Sequence, residues 1–161
     1  MPIATPHIDL LTVLSLVETR LATIVGVSIE ELGSVPDEAG ATAKVLRIKD
    51  LEFTYPDRRR TSDGDEATFS MNITVRVRAD GEGGALADMA MTLNAIKQLF
   101  DREDLTDATT TIVLRCNVSG QTIVDVSEAG SDNGAHGALA GSCRLTGYAF
   151  RTSGTSLNVP T

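Results

Sequence analysis

The stretch "TYPDRRRTSDGDEATFSMNITVRVRAD", residues 54–80, contains the clearest strand pattern in the chain. Apolar and polar side chains alternate in it from residue 69 to residue 78. The apolar positions are Phe69, Met71, Ile73, Val75 and Val77, and the polar positions are Ser70, Asn72, Thr74, Arg76 and Arg78. This period of two predicts a β-strand in a sheet that has one buried face and one face in water.

A second strand-like segment, residues 43–55, comes just before this one. Leu46 and Ile48 have one parity in it, whereas the apolar residues after Asp50 have the other, which predicts a bulge or a bend. The connection between the two segments, residues 56–67, is polar and charged. We therefore expect a long hairpin whose tip projects into solvent or into a partner.

The charged tip of this hairpin has two interpretations. Its three consecutive arginines and its carboxylates partly cancel, which is typical of a solvated loop. Alternatively, the tip is an arm that contacts another subunit or a partner protein, because the apolar residues next to it are expected to overhang a small core. A phosphate site is a weaker interpretation, since the carboxylates would oppose an anion. The candidate contact residues are Tyr55, Asp57, Arg58, Arg59, Arg60, Asp63, Asp65 and Glu66.

Two other segments have the apolar spacing of amphipathic helices. Thr5 and Pro6 suit the N-cap and the first turn of the first helix. The expected apolar faces consist of Leu10, Leu14, Val17, Leu21 and Ile24 in the first helix and of Leu86, Met89, Leu93, Ile96 and Phe100 in the second. Residues 27–41, which follow the first helix, have the pattern of a loop with a short helical turn at Ile29–Leu32.

Three strand-like segments follow the second helix, at residues 109–119, 122–129 and 139–153. The composition of residues 119–121, Ser-Gly-Gln, predicts a turn between the first two. The apolar pattern of the last segment shifts near Gly147, which predicts a bulge.

This order of elements predicts the fold class. We expect an α+β fold with an antiparallel sheet, a long hairpin and two amphipathic helices packed on one face. The length is that of one domain, so we expect a single domain over residues 1–161, with flexible ends at residues 1–5 and 153–161.

The charge and the aromatic content disfavour nucleic-acid binding. The net charge is −8, whereas proteins that bind nucleic acids neutralise phosphates with lysine and arginine. Aromatic residues make up only 4% of the chain, which leaves few rings to stack on bases. An acidic surface is typical of a soluble protein, and it also suits a wall past which DNA moves without sticking.

The chain lacks the motifs of common catalytic and metal sites. It contains no nucleophile elbow, phosphate-binding loop, calcium loop or zinc-ligand spacing. His7 and His136 are isolated, and the strand positions of Cys116 and Cys143 predict buried free thiols. We expect no enzyme activity, no metal and no cofactor. The sequence pattern also predicts neither a signal peptide nor a membrane span.

The chain combines an N-terminal helix, the hairpin "AKVLRIKDLEFTY…FSMNITVRVRA", the helix "ALADMAMTLNAIKQLF" and the closing strand "CRLTGYAFRT". This layout resembles that of the tail-terminator proteins of long-tailed bacteriophages. The resemblance covers residues 8–151 and is one of layout and size, with no signature motif. Related neck and tail-completion proteins share this layout.

The resemblance implies a structural role. Tail terminators form hexameric rings that cap the tail tube, stop its polymerisation and join it to the head. The resemblance therefore implies a virion protein of the tail or neck, assembled in the host cytoplasm, with no catalytic, cofactor-binding or metal-binding residues. Its implied partners are further copies in a homo-hexamer ring, the tail tube protein and a head-side connector or neck protein. DNA would only pass through the ring.

A different class of function is an α+β module that binds a small molecule or a peptide. Such a module needs a concave apolar pocket with a few convergent polar groups. His136, Tyr148 and Arg151 are the first candidates to line it.

Overall fold

A six-stranded sheet and two helices form the fold. The computed structural model describes residues 8–33, 44–55, 66–79, 84–101, 104–107, 112–126 and 137–151. The helices are α1 (Leu10–Leu21) and α2 (Ala85–Asp101). The strands are β1 (Ser28–Glu30), β2 (Lys44–Thr54), β3 (Glu66–Ala79), β4 (Leu105–Asp107), β5 (Ile112–Asp125) and β6 (Gly137–Arg151). The two ends that were predicted to be flexible lie outside the described residues.

The sheet is mixed, with the strand order β1-β2-β3-β6-β5-β4. Every pairing is antiparallel except that of β1 with β2, which is parallel. The predicted α+β class is confirmed, whereas an entirely antiparallel sheet and a helical turn at Ile29–Leu32 are wrong. A three-residue strand is too short to show a period of two, and the chain between β1 and β2 is long enough for the return that parallel pairing requires.

The strands of the predicted hairpin, β2 and β3, are antiparallel neighbours of 11 and 14 residues. The bulge predicted near Asp50 is confirmed, because the register shifts between Lys49 and Glu52. Asp50 has a positive φ of 53°, and its carboxylate accepts a hydrogen bond of 3.0 Å from the Asn72 side chain. The connection, residues 56–65, lies outside the described residues.

A second bulge interrupts β5, where a turn was predicted. β5 pairs with β6 on both sides of Gly120, and one extra residue separates Ser119 from Thr122. The turn at residues 119–121 is therefore wrong. Glycine is common in turns, but here its φ of 68° supplies the left-handed residue of a bulge.

Gly147 has a packing role rather than a bulge. β6 pairs with β3 without interruption through Gly147, which lies opposite Phe69. A Cβ atom at Gly147 would lie 2.3 Å from Cζ of Phe69, so the missing side chain leaves room for the ring. The apparent shift in the pattern arises because Tyr148 and Phe150 are aromatic residues on the opposite face of the sheet.

Helix α1 begins later than predicted. The Asp9 side chain is its N-cap and accepts a hydrogen bond of 2.8 Å from the N–H of Leu11. The helix therefore starts at Leu10, whereas the predicted cap Thr5 and Pro6 lie outside the described residues.

One hydrophobic core lies between the helices and the sheet face that they cover. The predicted apolar face of α2 is confirmed, except that Leu86 is 63% exposed. On α1 the buried residues are Val13, Val17 and Leu21. The sheet contributes Leu46, Ile48, Phe69, Met71, Ile73, Val75, Val77, Ile112, Leu114, Val118, Cys143, Leu145 and Ala149. The other sheet face, which we call the outer face, carries the alternating polar residues.

Candidate functional site

The ends of β2 and β3 at the base of the predicted hairpin hold the two predicted contact residues that the structure describes, Tyr55 and Glu66. Tyr55 is 45% exposed, and its hydroxyl donates a hydrogen bond of 2.7 Å to the carbonyl of Ile8. Glu66 begins β3 and lies opposite Phe150 of β6. The remaining predicted contact residues, Asp57, Arg58, Arg59, Arg60, Asp63 and Asp65, lie outside the described residues.

The apolar residues beside the tip do not overhang the core. Phe69 and Met71 are 4% and 1% exposed, and Leu51 and Phe53 pack against the core. The bond from Tyr55 to the segment before α1 shows how the chain itself covers this end of the sheet. The expectation that these side chains need a neighbouring subunit to bury them is therefore wrong for Leu51, Phe53, Phe69 and Met71, whereas Tyr55 is exposed.

Of the three residues suggested for a ligand pocket, the two that the structure describes, Tyr148 and Arg151, do not come together. His136 lies outside the described residues. Tyr148 lies on the outer face, where its ring stacks on that of Phe150 with centroids 5.4 Å apart. Arg151 occupies a position of opposite parity on the same strand, next to Ile112 on the helix-covered side. Side chains alternate between faces along a strand, so these two cannot line one pocket.

An ion pair lies beside this aromatic pair at the end of the outer face. Arg115 donates two hydrogen bonds to Asp104, of 3.2 Å from Nε and 2.9 Å from Nη2. These bonds lower the pKa of the Asp104 carboxyl below its usual value. The guanidinium also lies 5.5 Å from the centre of the Phe150 ring. The arrangement places a cation and two rings next to the hairpin base.

The two edges of the sheet are only partly covered by strands. β1 pairs with residues 45–47 of β2, and β4 pairs with residues 112–114 of β5. Among the described residues, no strand pairs with the rest of either edge. Uncovered backbone N–H and C=O groups of an edge strand can pair with another chain.

Helix α2 covers one further point of the β5 edge. The Asp101 carboxylate accepts a hydrogen bond of 3.0 Å from the N–H of Val118. Lys97 donates to the carbonyl of Val118 at 3.4 Å and to the Asp101 carboxylate at 2.6 Å. The last turn of α2 therefore binds both backbone groups of Val118 that point away from β6.

The far half of β5 presents an open backbone at Ile123. Val126 donates to the carbonyl of Ala138 at 2.9 Å, which shows that even-numbered residues of this half bond to β6. Because only alternate residues of an antiparallel strand bond to one neighbour, the N–H of Ile123 points away from β6. No described strand lies on that side. Ile123, Val124 and Val126 are 40%, 57% and 42% exposed.

The outer face curls around a concave space with a volume of about 420 Å³, which we call the trough. It crosses five strands, from β1 to β5. Its lining residues are Glu30, Val45, Arg47, Lys49, Thr74, Val75, Arg76, Thr122, Val124, Ala140, Gly141 and Ser142.

Charged side chains lie at the β2 side of the trough. Arg47 and Arg76 lie 3.2 Å and 3.8 Å from the Glu30 carboxylate, which is 13% exposed. Lys49 is exposed beside them. At the β5 side, the hydroxyls of Thr122 and Ser142 form a hydrogen bond of 2.6 Å. This site was not predictable from the sequence, because its residues come from five separate segments that only the curled sheet brings together.

The two cysteines are free, as predicted. Burial raises the pKa of the Cys116 thiol to about 12, with a further contribution from the carboxylates of Asp104 and Asp101. Burial also raises the pKa of Cys143 to about 11. Neither thiol is activated as a nucleophile, since a nucleophilic cysteine needs a lowered pKa.

In the described part of the chain, no group of His, Cys, Asp and Glu side chains is arranged to hold a metal ion. Neither of the two described helices is long and apolar enough to cross a membrane. No protein-family model matches the chain, and a search of curated proteins found no match.

Proposed function

We propose that this protein is a structural assembly protein that forms a closed ring of identical subunits. By the layout of its elements, the ring is that of a phage tail terminator or neck protein, which caps the tail tube and joins it to the head. The observation that carries the proposal is the sheet whose two edges, at β2 and at β5, pair with described strands over only part of their length.

Two different open edges favour a ring over a two-fold dimer. Suppose that the β2 edge of one copy contacts the β5 edge of the next. The copy at one end of the growing assembly then keeps a free β2 edge, and the copy at the other end keeps a free β5 edge. Each such head-to-tail contact rotates one subunit by the same angle relative to the subunit before it. The assembly closes into a ring when these rotations add up to a full turn. The exposed side chains of Ile123 and Val124 add apolar area to the β5 edge.

The charged hairpin segment, residues 57–66, forms a second contact in this proposal. Glu66 at its base lies opposite Phe150, whose ring stacks on that of Tyr148 on the outer face. The three arginines at residues 58–60 pair with carboxylates of the neighbouring subunit, where charge complementarity selects the partner and the register.

The test of the β5 edge is the Ile123→Pro variant. Proline removes the N–H that points away from β6 and leaves the bonds to β6 in place, so the monomer should fold. We expect native mass spectrometry to detect rings of the wild-type protein and monomers of the variant, with melting temperatures that differ by a few degrees at most. A wild-type protein that stays monomeric, alone and with tail tubes, overturns the ring.

Three further variants extend this test. Val124→Pro removes an N–H that faces β6, so it should lower the melting temperature of the monomer itself. Ile123→Lys introduces a charge on the open edge and should prevent assembly. Met91→Lys makes the same kind of change at a residue of α2 that is 70% exposed, and it should assemble as the wild-type protein does.

The contribution of the hairpin is tested by replacing Arg58, Arg59 and Arg60 together with serine. We expect loss of assembly with an unchanged melting transition. Normal assembly of this variant would mean that the tip is a solvated loop.

The place in the virion is tested by electron microscopy of phage tail tubes that polymerise in the presence of the protein. A terminator should give tubes of limited length that carry a ring at one end. Tubes that grow without limit and carry no ring would contradict this role, even if rings form in isolation.

A further inference from the structure

The two walls of the trough differ in chemistry. On the β2–β3 side the wall carries the cationic groups of Arg47, Lys49 and Arg76. On the β5 side it carries Thr122 and Val124, and Val124 is 57% exposed. The floor between them is β6, whose outer-face residues there are small, Ala140 and Ser142.

The width of the trough suits one peptide segment. β2 lies three strand spacings and β3 lies two strand spacings from β5, so the nearer cationic strand is separated from the β5 wall by about 10 Å. That distance is close to the diameter of a helix with its side chains, about 10 Å. Small floor residues leave this space open, and the curl of the sheet raises both walls around it.

The charge of the trough is opposite to that of the whole chain. Three cationic side chains and one carboxylate, Glu30, line it, whereas the chain carries a net charge of −8. Glu30 lies within 4 Å of both Arg47 and Arg76, so it holds the two guanidinium groups in place before any ligand arrives. A preordered cationic wall lowers the entropic cost of binding an anionic group.

We propose that the trough binds an acidic amphipathic peptide segment of a partner protein. The carboxylates of the segment contact Arg47, Lys49 and Arg76, and its apolar side chains contact Val124 and Ala140. The exposed side chain of Val124 favours a peptide over a nucleic acid. None of the described residues that line the trough has an aromatic ring on which a base could stack. The site lies on the sheet face and does not depend on ring formation through the edges.

The test uses a fluorescein-labelled helical peptide with glutamates on one face and leucines on the other. Binding is measured by fluorescence anisotropy on wild-type protein and on the Ile123→Pro variant, which separates peptide binding from assembly. We expect saturable binding to both proteins, weakened as salt increases. A peptide with lysine in place of glutamate should not bind. If neither protein binds the acidic peptide, or the lysine peptide binds equally well, the proposal is overturned.

Two variants with matched controls locate the binding site. Lys49→Glu and Val124→Ser each change an exposed side chain of the trough, and each should raise the Kd about fivefold or more. Arg115→Glu makes the same charge change at the far end of the outer face, and Val25→Ser makes the same apolar change at a residue that is 88% exposed. Both controls should bind within about twofold of wild type.

If the trough variants and their controls change the Kd of the peptide equally, the trough is not its binding site, even though the peptide binds. Labelled single-stranded DNA is measured in parallel. If the DNA binds more tightly than the acidic peptide and Lys49→Glu abolishes its binding, the trough is a nucleic-acid site and the peptide assignment is wrong.

Discussion

The carboxylate of Asp101 accepts a hydrogen bond of 3.0 Å from the backbone N–H of Val118. This contact joins the last residue of α2 to the middle of β5, between the part that β4 covers and the part that pairs with no described strand on this side, which we call the open edge. The helix thereby limits how much of the β5 edge a neighbouring chain can pair with. The position of α2 and the position of the open edge are therefore coupled.

Replacing Asp101 with alanine should destabilise the fold and lengthen the open edge. A hydrogen bond to a charged group contributes about 1.5–3 kcal/mol, so we expect chemical denaturation to show a loss of about 2 kcal/mol. Lys97→Ala removes the exposed partner of Asp101 and should cost less than about 1 kcal/mol. Equal losses for the two variants would contradict a specific role of the bond from the Val118 N–H to Asp101.

Alanine at Gly147 should be costly because of the Phe69 ring. Three ring atoms would lie within 3.0 Å of the new Cβ, and Phe69 is 4% exposed, so it cannot move into solvent without loss. Overpacking of this kind costs about 1–3 kcal/mol. Gly141→Ala is the comparison, since its new Cβ would meet the flexible Met89 side chain and should cost less. The Phe69→Leu background should reduce the cost at Gly147, and an unchanged cost there would exclude the ring as its cause.

The bulge at Asp50 permits a test of its left-handed backbone. Asp50→Gly and Asp50→Ala both remove the carboxylate that Asn72 contacts, so their difference isolates the positive φ of 53°. Alanine in the left-handed region costs about 1 kcal/mol more than glycine. We expect the glycine variant to be the more stable of the two by that amount in urea denaturation. Equal stabilities would show that the bulge relaxes when the carboxylate is lost.

The wild-type protein, with a carboxyl group at Glu18, should be less stable at neutral pH than the Glu18→Gln variant, which has an amide there. Burial raises the pKa of Glu18, and the nearby Glu31 raises it further. A carboxyl with a raised folded-state pKa binds its proton more tightly in the folded state, so stability rises as the pH falls through that pKa. Glu18→Gln should therefore be more stable than wild type at pH 7. The advantage should vanish below the unfolded-state pKa, near about 4.3, when urea denaturation is measured across pH. If Glu18→Gln were more stable than wild type by the same amount at every pH, the raised pKa of Glu18 would not be the cause.

The two thiols should react slowly in the folded protein. With pKa values of about 12 and about 11, less than about one in a thousand thiols is ionised at pH 8. Labelling with a disulfide reagent should be slow in buffer and fast for both residues in urea. Cys116→Ser and Cys143→Ser separate the two rates. Fast labelling of either thiol in the native protein would contradict its environment in the fold.

Much of the fold could be predicted from side-chain periodicity. Residues 69–78 alternate because every second side chain of β3 enters the core, and the apolar face of α2 follows from its helical spacing in the same way. The Asp50 bulge was predictable for a related reason. One extra residue in a strand changes the parity of every later side chain, so a local backbone event leaves a trace along the sequence.

The composition of a short segment was a poorer guide than its periodicity. Ser119, Gly120 and Gln121 have the composition of a turn, yet β5 continues through them because β6 pairs with both halves. β1 and β4 have three residues each, which is too short for any period to appear. Such strands exist because a longer neighbour supplies their hydrogen-bond partners.

Of the candidate sites, only the charged segment at residues 57–66 could be proposed from the sequence alone, because its residues are contiguous. The open backbone at Ile123 depends on which residues of β5 bond to β6 and on how far β4 and α2 extend along the edge. The trough depends on the curl of the sheet, which places Arg47 and Val124 on two walls of one space. The sequence determined which side chains face the core and where one strand bulges, since those properties repeat locally along the chain. The tertiary structure decided which parts of the sheet edges the described strands cover and which distant side chains share a surface, because hydrogen-bond partners and curvature come from other strands.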